Sequence, residues 1–184
     1  MVAIICANHD QQRRYESFDE PTILRLGKEA IMKAGNVLED KERFADKPLV
    51  TIEPESTILD AVHLLCQNRI GALLVTDAEK HLVGIITERD VLAECCRNHK
   101  NIDATRVDSA MTREVIVAHP QDDVQDILRI MTTKRVRHMP IVENDKISGM
   151  LSIGDILRRL YKQDELKIRY LSDYLGGTYG LKVY

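Results

Sequence analysis

Thr87 and Asp90 in "GIITERDVL" (84–92) are matched 65 positions later by Ser152 and Asp155 in "GMLSIGDIL" (149–157). Each stretch runs glycine, two apolar residues, a hydroxyl residue, two variable positions, an aspartate and an apolar pair. A hydroxyl three residues ahead of a carboxylate supports three chemistries. In the first, the pair simply caps a helix, for which aspartate, serine and threonine are favoured. In the second, a strand opens into a helix whose first N–H groups point at an anion. The hydroxyl then donates to phosphate, and the carboxylate accepts from ribose hydroxyls. The third is catalysis, which needs a nucleophile with a base or an acid–base pair; no histidine is duplicated with the motif. The glycine, Gly84 or Gly149, permits close backbone approach or marks a strand bulge.

The likeness extends outward from the motif. Residues 49–95 and 114–161 align at an offset of 66 that falls to 65 after one turn, setting Pro54 on Pro120, Asp60 on Asp126 and Arg69 on Arg135. In each copy an extended apolar piece ends at proline. Thr57 or Asp123 then stands three before Asp60 or Asp126, a capping-box-like helix start. The stripes Ile58, Ala61, Val62, Leu65 and Val124, Ile127, Leu128, Met131 have i, i+3, i+4, i+7 spacing and predict helices with one buried face. Two short apolar runs divided by charged turn residues follow and predict a hairpin. The fold class is therefore α+β, with two tandem β-α-β-β-α repeats packed face to face, because one such unit leaves a sheet face uncovered. The repeats span 47–97 and 115–161, joined by a linker over 98–114.

Outside the repeats, residues 1–46 form an extension with helical spacing at Ile23, Leu26, Ala30, Ala34 and Leu38, interrupted by Gly27 and Gly35. A C-terminal helix is expected to run on from the second repeat through Leu157, Leu160, Tyr161, Ile168, Leu171 and Leu175, ending at "GGTYG" within the 162–184 tail.

At 184 residues, 44% apolar and 30% charged, the chain has a globular composition. A formal charge of −3 with interspersed signs gives no reason to seek nucleic acid or an anionic membrane, and the absence of Trp argues against a base-stacking platform. Cys6, Cys66, Cys95 and Cys96 lack disulfide spacing, so a reducing compartment is expected, with Cys66 packed as a small hydrophobe. "MVAIIC" is too short an apolar run for a signal peptide or a membrane span. Cys95, Cys96 and His99 do not have the spacing of a metal site, and none is expected.

The repeated motif resembles the Gly-h-h-Ser/Thr-x-x-Asp nucleotide-binding signature of paired cystathionine-beta-synthase (CBS) domains, the Bateman module, over residues 48–161. "NRIGALLV", "GIITERD", "RVRHMPIV" and "GMLSIGDIL" look most like stand-alone pairs of proteobacteria and plant mitochondria. The chain departs from that pattern in its long extension and in lacking a "DIMT"-like lead-in before the first repeat, where "VDSAMT" precedes the second.

The resemblance implies a non-enzymatic regulatory module that binds an adenine nucleotide (AMP foremost, otherwise ADP, ATP or NAD), uses no catalytic cofactor, dimerises, and acts in trans on another protein. It places Asp90 and Asp155 on ribose hydroxyls, Thr87 and Ser152 on phosphate, and adenine near Thr51 and Val117, with Ile86 completing the set. Arg137 and His138, standing where the first repeat has Gly71 and Ala72, and Arg89 become phosphate contacts, so positive charge is expected to be unequal between the clefts. A cytoplasmic location fits, or a mitochondrial matrix if the chain is eukaryotic. The competing readings are a dimer scaffold with vestigial sites, which needs none of the four motif residues, and a nucleotide hydrolase, for which a general base and an acidic metal cluster are missing.

Overall fold

The computed structural model describes residues 3–5, 14–15, 32–44, 49–97 and 101–165. Strands β1 (Ala3–Ile5) and β2 (Arg14–Tyr15) and helix α1 (Ala34–Phe44) precede the first repeat. That repeat runs β3 (Thr51–Ile52), α2 (Ile58–Asn68), β4 (Ala72–Thr76), β5 (Leu82–Thr87) and α3 (Glu88–Arg97). After a 3-10 turn at Val107–Ser109 come β6 (Val115–Val117), α4 (Val124–Lys134), β7 (His138–Glu143) and β8 (Lys146–Ser152). A last helix, α5, covers 153–165 among the described residues. The extension, expected to be helical, is so over 34–44. At 3–5 and 14–15 it forms strands, β1 lying antiparallel on β6 with Ala3 opposite Val117. Ile23, Leu26, Ala30, Ile168, Leu171 and Leu175 lie outside the described residues.

The helix signals act as their chemistry requires, with one difference. At α2, Thr57 Oγ1 accepts from the Asp60 amide while Asp60 accepts from Thr57, closing a capping box. At α4, Asp123 instead accepts from the Gln125 amide, and Asp126 binds Arg129 at 2.8 Å. Two carboxylates three residues apart repel, so Asp126 turns to a cation. Both helices end on a left-handed residue, Arg69 (φ 51°) and Arg135 (φ 56°), at matched positions. Ile58, Ala61 and Leu65 of α2 are buried, as are Val124, Ile127 and Met131 of α4. Cys66 is exposed rather than packed. It lies one residue past Leu65, and about 100° of helix rotation turns it to solvent.

In the first repeat, β3 pairs in parallel with β4, and β4 antiparallel with β5. In the second, β7 and β8 are antiparallel, and Ala118 beyond β6 bridges Ile141 in parallel. Each hairpin carries a bulge at the same place: Val83 is unpaired between Val75–Gly84 and Thr76–Leu82, and Ser148 between Ile141–Gly149 and Val142–Ile147. Ala72, Leu74, Leu82 and Ile85 of the first repeat pack with Val115 and Val117 of the second, forming the apolar joint between the sheets.

A lead-in segment does precede the first repeat. The lead-in of the second repeat packs on the first: Ile58 N donates to Thr105 O, Val107 N to Ser56 O and Asp108 N to Pro54 O, with Thr57 bridged to Arg106. In the same relation, Val124 N donates to Met32 O, Ala34 N to Asp122 O and Gly35 N to Pro120 O, with Lys33 bridged to Asp123. Residues 32–38 are thus the counterpart of 105–111. Their offset of 73 exceeds the repeat offset by seven, about two helical turns, and the added residues prolong α1. Leu38 falls opposite Met111. A Cβ on Gly84 would lie 2.5 Å from Met111 Sδ, and one on Gly149 2.6 Å from Leu38 Cδ1. The motif glycines therefore give room to the lead-in segments as well as flanking the bulges.

Candidate functional site

Both motif copies sit where a strand gives way to a helix, and both are closed caps. Asp90 Oδ2 accepts from Thr87 N (2.9 Å) and Thr87 Oγ1 (2.6 Å), while the Asp90 amide points back at that hydroxyl. Asp155 Oδ2 accepts from Ser152 N (2.9 Å) and Ser152 Oγ (2.7 Å) in the same way. Capping and ligand binding are thus compatible. The cap uses one carboxylate oxygen and leaves Oδ1 of each aspartate without a protein hydrogen bond among the described residues.

Each motif borders a cleft completed by the other repeat. The first cleft, about 270 Å³, joins Thr87, Arg89 and Asp90 to Glu114, Val115 and Ile116 and to Arg135, Val136, Arg137 and His138. The second, about 350 Å³, joins Ser152 and Asp155 to Leu49, Val50, Asn68, Arg69, Ile70 and Gly71, with Leu38 and Lys41 of α1 on its rim. His138 and Gly71 border both clefts, the imidazole lying within 3.4 Å of where a Gly71 Cβ would stand.

Of the residues expected from the sequence, Thr87, Arg89, Asp90, Arg137 and His138 line the first cleft, and Ser152, Asp155 and again His138 the second. Thr51, Ile86 and Val117 line neither. Ile86 is fully buried in the first repeat's core and Val117 lies in the joint between the sheets. The first cleft takes Val115 and Ile116 and leaves Val117 in the joint between the sheets, while the second takes Leu49 and Val50 in place of Thr51. Arg137 borders the cleft of the first motif rather than that of its own repeat.

Three basic residues were missed. Arg69 and Arg135, the left-handed caps of α2 and α4, border the second and first clefts respectively. Their identity at matched positions was the available signal. Lys41 had none, since it lies on α1 where that helix runs beyond its counterpart segment before the second repeat. Its Nζ donates to Asp155 Oδ2 (2.9 Å) and Met150 O (2.8 Å), whereas among the described residues no such cation is bonded to Asp90.

Electrostatics follow from these contacts. Burial works to raise the pKa of Asp155, but the hydrogen bonds from Ser152 and Lys41 outweigh it and hold the carboxyl below the ordinary value. His138 is pushed below 6.5 by burial first and by the Lys41 charge second, which leaves the imidazole neutral at pH 7. No helix among the described residues is long and apolar enough to cross a membrane.

Comparison with known proteins agrees with this arrangement. The sequence model of the CBS domain matches residues 41–96 and 107–162. The chain is 32% identical over 148 residues to the mitochondrial CBS domain-containing protein CBSX3 of Arabidopsis thaliana, covering 78% of this chain and 72% of that one. The crystal structure of a CBS-domain-containing protein from Agrobacterium tumefaciens is 31% identical with a TM-score of 0.64, over 70% of this chain and 98% of that one. A CBS domain pair in complex with 5′-methylthioadenosine and S-adenosyl-L-methionine is 27% identical with a TM-score of 0.61, over 72% and 98% of the two chains. This chain belongs to the CBS domain family and carries two tandem copies of the domain.

Proposed function

We propose that this chain is a regulatory module without catalytic activity of its own, whose two clefts bind an adenine nucleotide and whose occupancy is read by a partner protein. The observation that carries the reading is the duplicated hydroxyl–carboxylate cap, each copy standing at a cleft with one carboxylate oxygen open. Asp90 and Asp155 accept from ribose hydroxyls. The amides at the starts of α3 and α5, with Thr87 and Ser152, face the phosphate. Arg89, Arg135 and Arg137 supply charge in the first cleft, and Arg69 in the second. Adenine lies against Val115, Val136 and Ile116, or against Val50 and Ile70. The complex of a related domain pair with two adenosine compounds supports an adenosine ligand; AMP is our first candidate, ahead of ADP, ATP and NAD.

The regulatory units are 47–97 and 115–161, joined by 98–114 and flanked by 1–46 and 162–184. Occupancy shifts the balance between two arrangements of the repeats and so alters a surface seen in trans. Cys66 and Cys96 are free thiols, which suits a reducing cytoplasm or, in line with the Arabidopsis relative, a mitochondrial matrix. Mass spectrometry of small molecules released from natively purified protein tests the reading: an adenine nucleotide is expected, and a different ligand class would overturn it.

Exposed Leu92 on α3 and Leu157 and Tyr161 on α5 favour a second role for the same module. These helices begin at the two motifs, and their apolar outer positions suit packing of a second copy. A dimer that forms without any nucleotide response would make the chain a scaffold alone.

A further inference from the structure

Resting on the nucleotide reading above, we propose that the second cleft continues into a built anion site, which selects adenine nucleotides carrying an additional phosphate on the ribose 2′ or 3′ oxygen. Beyond Asp155 lies a separate cavity of about 230 Å³ between α1 and α5, bordered by Asp40 and Lys41 on one side and Asp155, Arg158, Arg159 and Lys162 on the other. It shares only Lys41 and Asp155 with the second cleft. At about 30 Å³ per water, the space is large enough for a phosphate with its hydration.

Direction follows from the helix. Ser152, Asp155, Arg158 or Arg159, and Lys162 recur at three- and four-residue intervals, so they follow one another along a single face of α5. A nucleotide with its 5′-phosphate at Ser152 and its ribose at Asp155 therefore points its 2′,3′ edge onward, toward Arg158 and Lys162. One ribose hydroxyl still donates to Asp155, while the phosphate on the other enters the cavity. Lys41 stands between Asp155 and that phosphate, where its charge offsets their repulsion. Arg159 is held by Asp40 at 2.7 Å. The described lining carries four basic and two acidic side chains, a formal charge close to the opposite of a phosphate monoester, about −1.5 to −2 at pH 7.

The first cleft is an internal control. At the positions of Arg158, Arg159 and Lys162 it has Ala93, Glu94 and Arg97, and Arg97 lies 3.5 Å from Glu94. Glu114 stands where the lead-in offset puts the counterpart of Lys41. Among the described residues, a second phosphate finds no cationic pocket there.

The test uses the full chain with Asp90→Ala, which disables the first cleft, titrated calorimetrically with AMP, adenosine 2′,5′-bisphosphate and adenosine 3′,5′-bisphosphate. At least one bisphosphate is expected to bind about tenfold or more tightly than AMP, and the two isomers identify which oxygen is read. Adding Arg158→Ala with Lys162→Ala should bring the preferred bisphosphate to parity with AMP while leaving AMP affinity unchanged. If AMP binds and neither bisphosphate binds more tightly, the anion site is overturned and the nucleotide reading stands. If neither AMP nor the bisphosphates bind, both fall together.

Discussion

His138 is shared by the two clefts, and its ionisation is set by burial and by Lys41. Because its folded pKa lies below 6.5, the unfolded chain binds more protons just under that pH. Stability should therefore fall as pH drops through 6.5, and His138→Gln should flatten that slope in denaturant midpoints measured between pH 7.5 and 5.5. A phosphate beside the ring favours imidazolium, so AMP binding should take up a proton and strengthen as pH falls. Titrations in buffers of different ionisation enthalpy read that uptake directly. Arg135 has a different double role. Its left-handed backbone costs roughly 1–2 kcal/mol, partly recovered by a glycine that loses about 0.5–1 kcal/mol in chain entropy. Arg135→Gly is thus expected to stabilise the fold by about 0.5–1 kcal/mol yet weaken AMP in the first cleft about tenfold. Loss of both stability and affinity would show that the side chain serves packing rather than ligand.

At the scale of elements, the repeat, its two helices with their buried stripes and the order of its strands were legible, because capping residues and apolar spacing are local properties. The face each strand residue presents was less so: Thr51, Ile86 and Val117 each stand one residue from a cleft-lining position, Val50, Thr87 and Ile116. The lead-in before the first repeat was not legible at all. Its role rests on backbone hydrogen bonds from Ala34 and Gly35 and on Leu38 seated at Gly149, and "KAGNVL" shares almost no letters with "RVDSAM". That seating makes Gly149→Ala costly, by about 1–3 kcal/mol for overpacking against the branched Leu38. Gly84→Ala should cost less, since Met111 can bend away. Combining Gly149→Ala with Leu38→Ala should cost less than the two changes summed, measured by denaturant unfolding; strict additivity would mean that α1 does not rest on that glycine.

At the scale of the whole molecule, two repeats close one apolar joint and leave a cleft at each motif, while Leu92, Leu157 and Tyr161 remain exposed on α3 and α5. Dimerisation through those helices predicts a dimeric mass by light scattering at micromolar concentration, shifted toward monomer by Leu92→Glu with Leu157→Glu. The central claim is that the duplicated carboxylates anchor nucleotide, and thermal unfolding with and without AMP tests it most directly. Saturation at 100 times Kd should add about 2.7 kcal/mol of stability and raise the melting temperature of the wild-type chain. Asp90→Ala or Asp155→Ala should remove the contribution of one cleft, and the double variant should show no shift. An undiminished shift in the double variant would contradict the account.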